Sequence, residues 1–339
     1  MTDQISPDRP YGEANGSAPA EAGPIPKWPG ELVSLGTGDD VFVRTGPVAP
    51  GAEPAVFVHG LGGSATNWTD LMALLSQPRS GAPVLAGEAL DLPGFGYSAA
   101  PADDDYSLDA RVAAVIALIE KRANGPVHLI GNSLGGAVST RVAALRPDLV
   151  KTLTLISPAL PDLRPRLLPL RLALVSAPGV GGWVMKRMQQ IPAEQRTAMT
   201  INDLFADPSL LHPQRRAEAV AEVVRRDHLD YAWDALIKSG RALVGEYTRT
   251  GPFTLWRDAA RVTAPTLVIH GSHDRLVSPA MSGKAARAFR YGRVVVLPRI
   301  GHVAMMERPD LVAAEMREFL TAAARAATDG RGQLHSVSG

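Results

Sequence analysis

Cysteine is absent from the 339 residues. That removes disulfide scaffolds, thiolate nucleophiles and cysteine-based metal sites together, and leaves the compartment open. A charge excess is missing too: 35 basic and 34 acidic side chains leave a formal charge of +1. A dedicated nucleic-acid binder carries a clear basic surplus, so no nucleic-acid partner is expected. No uncharged apolar run reaches the roughly 18 residues that a spanning helix needs, so no stable membrane insertion is expected. The opening MTDQISPDRPYGEANGSAPAEAGPIPKWPG lacks a basic start followed by an apolar core. It does not read as a secretory signal, and the expected location is cytoplasmic. Residues 1–29 and 327–339 offer almost nothing to bury and are expected to form a disordered arm and tail. The oligomeric state is not legible.

Short β-rich runs are present, and they alternate with helical patterns. Val41 to Arg44 is a predicted strand. Ala55 to Val58 is apolar at every position and stops at His59-Gly60, as a buried strand does. Val127 to Ile130, Leu153 to Ile156, Thr266 to Ile269 and Val294 to Leu297 behave alike. Ser107 is a good N-cap for a helix with Asp109 in its first turn and a stripe of Leu108, Val112, Val115, Ile116 and Ile119. A last helix from about Pro309 should bury Val312, Met316, Phe319 and Leu320. The alternation predicts an α/β fold with a mostly parallel twisted sheet covered on both faces. It breaks after Ser157-Pro158 and resumes near Ala264. This predicts a core of residues 30–157 and 253–326, interrupted by a helical insertion over 158–252. Within the insertion, Ala217, Val220, Ala221 and Val224 make one helix stripe, and 231–244 is a second predicted helix. The arginine pairs at 215–216 and 225–226 read as a solvated helix face. The stretch 166–184 is unusually apolar and reads as packed cap helices, as a wall for an acyl or aryl group, or as a lid face that touches lipid.

The sharpest local feature is Leu129-Ile-Gly-Asn-Ser-Leu-Gly-Gly136. Gly131-x-Ser133-x-Gly135 directly follows a predicted strand and directly precedes a helix, as a nucleophile elbow requires. A serine there takes a strained conformation, and the glycines remove side chains that would collide. A serine hydroxyl is a weak nucleophile and needs a base. His302 follows the Val294 to Leu297 strand, where the base belongs if the chain order is Ser, acid, His. Of the other histidines, His128 lies mid-strand and reads as a satisfied core residue. The base in turn needs a carboxylate to fix its tautomer. Asp274, after the Thr266 to Ile269 strand, stands 28 residues before His302, which leaves room for one helix and one strand. The segment His270 to Asp274 is better explained as a strand end and acid turn than as a metal site, so no metal is expected. His59-Gly-Leu-Gly-Gly-Ser64 follows a strand and can aim an amide at a developing negative charge. The expected oxyanion donors are the backbone N–H groups of Leu61 and Leu134. No Gly-Lys-Ser/Thr follows this loop and no G-x-G-x-x-G occurs in it, which argues against a phosphate cradle. Asp91-Leu-Pro-Gly-Phe-Gly-Tyr-Ser98 reads as a structural corner after a further strand.

HGLGGS, DLPGFGYS, GNSLGG, GSHDRLV and GHVAMMERPD, in that order over residues 31–325, resemble the α/β-hydrolase superfamily. The resemblance implies the α/β-hydrolase fold, a Ser133–Asp274–His302 set, no cofactor, and an insertion that caps the site. Ser133 separates the chain from the epoxide hydrolases and haloalkane dehalogenases of this fold, which use an aspartate nucleophile. Asn132 resembles the C–C bond hydrolases of aromatic catabolism, although Val303 stands where those enzymes usually carry Trp. The expected function is hydrolysis of a small-molecule carboxylic ester, apolar in character, through an acyl-enzyme at Ser133. C–C bond hydrolysis and ligand binding without catalysis are the alternatives.

Overall fold

Strands that are apolar at every position must be covered on both faces, and this chain folds accordingly. The computed structural model describes residues 25, 27–36, 40–79, 81–123, 125–162, 174, 177 and 179–328. Among them eight strands form one sheet: β1 (Gly30–Ser34), β2 (Asp40–Thr45), β3 (Glu53–Val58), β4 (Leu85–Leu90), β5 (Val127–Asn132), β6 (Val150–Ile156), β7 (Thr266–Gly271) and β8 (Gly292–Leu297). Their spatial order is β1-β2-β4-β3-β5-β6-β7-β8. The pairs β1–β2 and β2–β4 are antiparallel, and all pairs from β4 to β8 are parallel. Every predicted strand is present. β1 was not foreseen, because GELVS is an edge strand in which only Val33 is buried.

The core helices are α1 (Thr69–Leu75), α2 (Leu108–Arg122) and α3 (Leu134–Leu145). The insertion contributes α4 (Val180–Gln189), α5 (Ala193–Leu204), α6 (Pro213–Asp227) and α7 (Ala232–Thr248). The core resumes with α8 (Leu255–Arg261), α9 (Ser282–Ala288), α10 (Ala304–Glu307) and α11 (Pro309–Thr328). Alternation along the strands divides the core into two layers. Ala55 and Phe57 of β3 face α1 and α11, while Val56 and Val58 face α2 and α3. Ser107 caps α2 by accepting from the Ala110 amide at 3.1 Å. Asp109 in the first turn and Lys121 and Arg122 in the last complement the helix dipole. In α11, Val312, Met316, Phe319 and Leu320 are all buried, as their spacing requires.

The insertion departs from expectation at α6. Its small apolar stripe does not pack inward: Ala217, Ala221 and Val224 are exposed, and Arg215 is the buried residue. The arginine side of α6 lies on the core instead. Arg215 pairs with Asp70 of α1 and with Glu218, Arg225 donates to the Gly96 carbonyl, and Arg226 donates to the Gly62 carbonyl. Specific carboxylate and carbonyl partners on the core outbid the weak apolar attraction of alanine and valine. Of the apolar stretch 166–184, residues 166–173 lie outside the described residues, as do residues 1–24 and 329–339. The end of the N-terminal segment is in contact with the fold. Gln214 and Arg215 both donate to the Ile25 carbonyl, and Trp28 Nε1 donates to the Thr69 carbonyl at 3.1 Å. Among the described residues no helix is long and apolar enough to cross a membrane.

Candidate active site

Parallel strands end on a common edge of the sheet, and loops leaving that edge meet in a crevice. Here the loops after β3, β5, β6, β7 and β8 carry His59, Ser133, Ser157, Asp274 and His302. β5 ends at Asn132 and α3 begins at Leu134, so Ser133 is the whole turn. Its backbone lies at φ 53°, ψ −117°, a region that a side-chain-bearing residue rarely adopts. The turn is pinned on both sides. The Ser133 amide donates to the Ile156 carbonyl (3.1 Å), and its carbonyl accepts from Ala137 (3.1 Å) and Ala159 (2.9 Å). The flanking glycines serve close approach. A Cβ on Gly135 would stand 2.1 Å from the Val58 carbonyl oxygen, and one on Gly131 would stand 2.4 Å from the Gly135 carbonyl oxygen.

His302 and Asp274 meet across their two loops. His302 Nδ1–H donates to Asp274 Oδ2 at 2.8 Å, with both residues buried. Asp274 Oδ1 accepts from the amides of Leu276 (2.8 Å) and Val277 (2.9 Å). Burial alone would raise the Asp274 pKa. The facing His302, its hydrogen bond and the Val277 amide outweigh burial and leave the carboxyl below its ordinary range. Ser157 stands beside this carboxylate with its hydroxyl outside hydrogen-bond geometry. Because Nδ1 carries the proton toward Asp274, the lone pair of His302 lies on Nε2. Asn132 joins the two halves of the site. Its Nδ2 donates to the Ile156 carbonyl (2.9 Å) and to the His302 carbonyl (3.3 Å).

The HGLGGS loop abuts the same turn: a Cβ on Gly60 would lie 3.1 Å from Ser133 Cβ. His59 organises the loop. The Leu92 amide donates to His59 Nε2 (3.0 Å), so Nδ1 is the protonated nitrogen, and it donates to the Gly60 carbonyl (2.7 Å). The Gly63 amide donates to that carbonyl as well (3.0 Å). A peptide plane whose oxygen is held on one side presents its N–H on the other, and in the Gly60–Leu61 unit that N–H belongs to Leu61. Burial pushes the His59 pKa down to about 4, so the ring is neutral in this role. Among the described residues neither the Leu61 nor the Leu134 amide donates to a backbone carbonyl. Asp91 sits behind the loop as a corner. It accepts from the amides of Ala65 (2.6 Å) and Tyr97 (2.8 Å), and burial raises its pKa to about 6.

Sequence reasoning missed Glu307 and the environment of His270. Buried Glu307 accepts from the amides of Gly301 (2.8 Å), Ala206 (3.2 Å) and Asp207 (3.0 Å). His302 N–H donates to the Leu204 carbonyl at 2.7 Å. The loop carrying His302 is thus stapled to the chain that leaves α5. The only signal in the sequence was the position of Glu307 within GHVAMMERPD. His270, at the end of β7, is buried with neither ring nitrogen hydrogen-bonded, and burial lowers its pKa to about 4. His128 is a satisfied core residue, between Thr152 (2.8 Å) and Glu53 (2.7 Å). Among the described residues no three metal-ligating side chains converge.

A strained serine between strand and helix, a buried Asp–His pair and a glycine loop beside them define an architecture that comparison with known proteins identifies. Residues 55–315 match the family model described as "Alpha/beta hydrolase family". The chain belongs to the alpha/beta hydrolase family. Among its curated relatives is the dihydrolipoyllysine-residue acetyltransferase component of an acetoin cleaving system from Pseudomonas putida. The two are 31% identical over 80% of this chain, which spans 64% of that relative's length. Another is Esterase Rv0045c of Mycobacterium tuberculosis, 26% identical over 85% of this chain and 87% of the relative. A solved membrane phospholipase A, described as a bacterial virulence factor, superposes with a TM-score of 0.71 at 21% identity. That superposition covers 88% of this chain and 87% of the other. At that identity the superposition speaks for the alpha/beta hydrolase fold alone.

Proposed function

We propose that this alpha/beta hydrolase cleaves a small-molecule carboxylic ester through an acyl-enzyme at Ser133. The observation that carries the reading is the buried 2.8 Å hydrogen bond from His302 to Asp274. It leaves the Nε2 lone pair of His302 as the general base of a site that adjoins the Ser133 turn. In the reaction His302 Nε2 takes the hydroxyl proton as Ser133 Oγ bonds to the ester carbonyl carbon. The carbonyl π pair moves onto oxygen, and the Leu61 and Leu134 amides stabilise that charge at the N-terminus of α3. The pair returns, the C–O bond to the alcohol breaks, and the imidazolium gives its proton to the leaving alkoxide. Water then repeats the sequence on the acyl-enzyme and releases the acid. The insertion acts as a cap over this crevice, and Glu307 ties it to the loop of the base. The esterase among the relatives supports ester hydrolysis.

The test is hydrolysis of 4-nitrophenyl esters from acetate to long acyl chains by wild type and Ser133→Ala. Turnover by the wild type that falls to background in the variant is expected, with the acyl adduct located on Ser133 by mass spectrometry. A folded wild-type protein that hydrolyses none of the series overturns the ester reading. So does a variant that retains full turnover.

A further inference from the structure

Arg226 places an unpaired positive charge against the HGLGGS loop. It lies in the last turn of α6, and its Nη1–H donates to the carbonyl of Gly62, the residue after Leu61, at 3.1 Å. Among the described residues it forms no ion pair. The nearest carboxylates in sequence are already engaged, Glu222 by Arg225 at 2.7 Å and Asp227 by Arg196. The side chain is half-buried, and burial holds its pKa below the ordinary arginine value. A cation withdrawn from water is costly, and in return Arg226 has the Gly62 carbonyl and the more distant attraction of Glu222 and Asp227, set against the repulsion of Arg196 and Arg225. The other core-facing arginines of α6 differ: Arg215 has Asp70 and Glu218, and Arg225 has Glu222. With Nη1 committed to Gly62, the Nε–Nη2 edge meets no acceptor among the described residues. That edge is the planar fork which binds a carboxylate through two parallel hydrogen bonds. Consecutive Cα atoms are about 3.8 Å apart, so the guanidinium stands within a few bond lengths of where the Leu61 amide meets a reacting carbonyl.

We propose that Arg226 is a substrate-binding residue, and that the ester this site takes carries a carboxylate a few bonds from its scissile carbonyl. The proposal rests on the ester-hydrolase reading of the site and adds a charged group to the apolar substrate expected from the sequence. A dicarboxylic acid half-ester is the simplest member of the class.

The test pairs substrates of similar shape, one anionic and one neutral. Monomethyl glutarate and methyl pentanoate are followed by pH-stat titration with wild type, Arg226→Gln and Arg226→Lys. Hydrogen bonds to charged groups lead to an expected preference of about 10- to 100-fold in kcat/KM for the half-ester with wild type. The preference should collapse in Arg226→Gln and be partly kept in Arg226→Lys, which retains charge without the fork. A purely structural Arg226 would lower both substrates by one factor and leave the ratio unchanged, which overturns the proposal. Calorimetric titration of glutarate into Ser133→Ala, with and without Arg226→Gln, gives a readout that needs no turnover. Glutarate binding that depends on Arg226, with neither ester hydrolysed, upholds the anion site and overturns the ester reading. Hydrolysis of both esters, with a charge preference that ignores Arg226, does the reverse.

Discussion

At Asp274 both carboxylate oxygens are engaged: one faces His302 and the other takes two backbone amides. Asp274→Asn would keep the shape, remove the charge and offer an N–H where an acceptor is needed, so His302 would turn to the wrong tautomer. A loss of about 10⁴ in kcat is expected, with a lower unfolding midpoint because two amides lose a charged acceptor. Buried histidines set a second residue-scale expectation. His59 and His270 titrate near 4 in the native state against 6.5 for an ordinary histidine. Between those values the unfolded chain binds more protons, so each ring makes stability fall as pH drops from 6.5 to 4. Asp91 opposes them. Its native pKa near 6 against 3.8 makes the folded state bind the extra proton, so acidification favours folding through that carboxyl. Two histidines shifted by similar amounts outweigh one carboxyl, and the site should loosen in acid. Removing His270 isolates one share. In urea unfolding His270→Leu should lose about 2–3 kcal/mol less than wild type between pH 7.5 and 4.5. An identical acid loss in the two proteins would count against a neutral native His270.

Among the elements, the loop between β8 and α10 bears the most directly on the site, because it joins the base to the insertion. Glu307 holds three amides, one from the His302 loop and two from the distant chain leaving α5. Glu307→Gln leaves one acceptor oxygen and no charge for those amides. We expect kcat to fall about 10- to 100-fold with KM less affected, and the unfolding midpoint to drop, since charge-assisted bonds of about 1.5–3 kcal/mol are weakened. Steady-state kinetics beside a thermal melt checks both parts. This element also shows where the sequence was legible. Ser133, Asp274 and His302 each follow a strand whose apolar run announces its end, so local pattern located them. Two of the three partners of Glu307 lie about 100 residues away, and no periodicity reports which distant amides a carboxylate will meet. α6 fails for a related reason. Its alanine and valine spacing predicted a helix stripe, but an ion pair to Asp70 and hydrogen bonds to core carbonyls, formed only in three dimensions, turned the arginine side inward.

Across the whole molecule, one buried guanidinium ties the sheet-packed core to the insertion. Arg141 of α3 donates to Asp109 of α2 (2.7 Å), Glu246 of α7 (2.7 Å) and Asp258 of α8 (2.9 Å), and also to the Phe253 carbonyl. The side chains of Glu246 and Asp258 are only 8% and 1% exposed. Removing the arginine alone leaves these two carboxylates facing each other out of water, with the more exposed Arg249 and Arg261 as their remaining cations. Arg141→Met is therefore expected to cost about 3–5 kcal/mol. The triple change Arg141→Met, Glu246→Leu, Asp258→Leu removes the charges together and should recover most of that loss, because desolvating a network takes back much of what its attraction returns. Position in the fold predicts where the single variant fails first. The sheet keeps its two apolar layers, while α7 loses its strongest link to α3. Hydrogen exchange should therefore accelerate across α7 well before β3, β5 and β6, whereas uniform acceleration would mean that Arg141 supports the core itself and not its junction with the insertion.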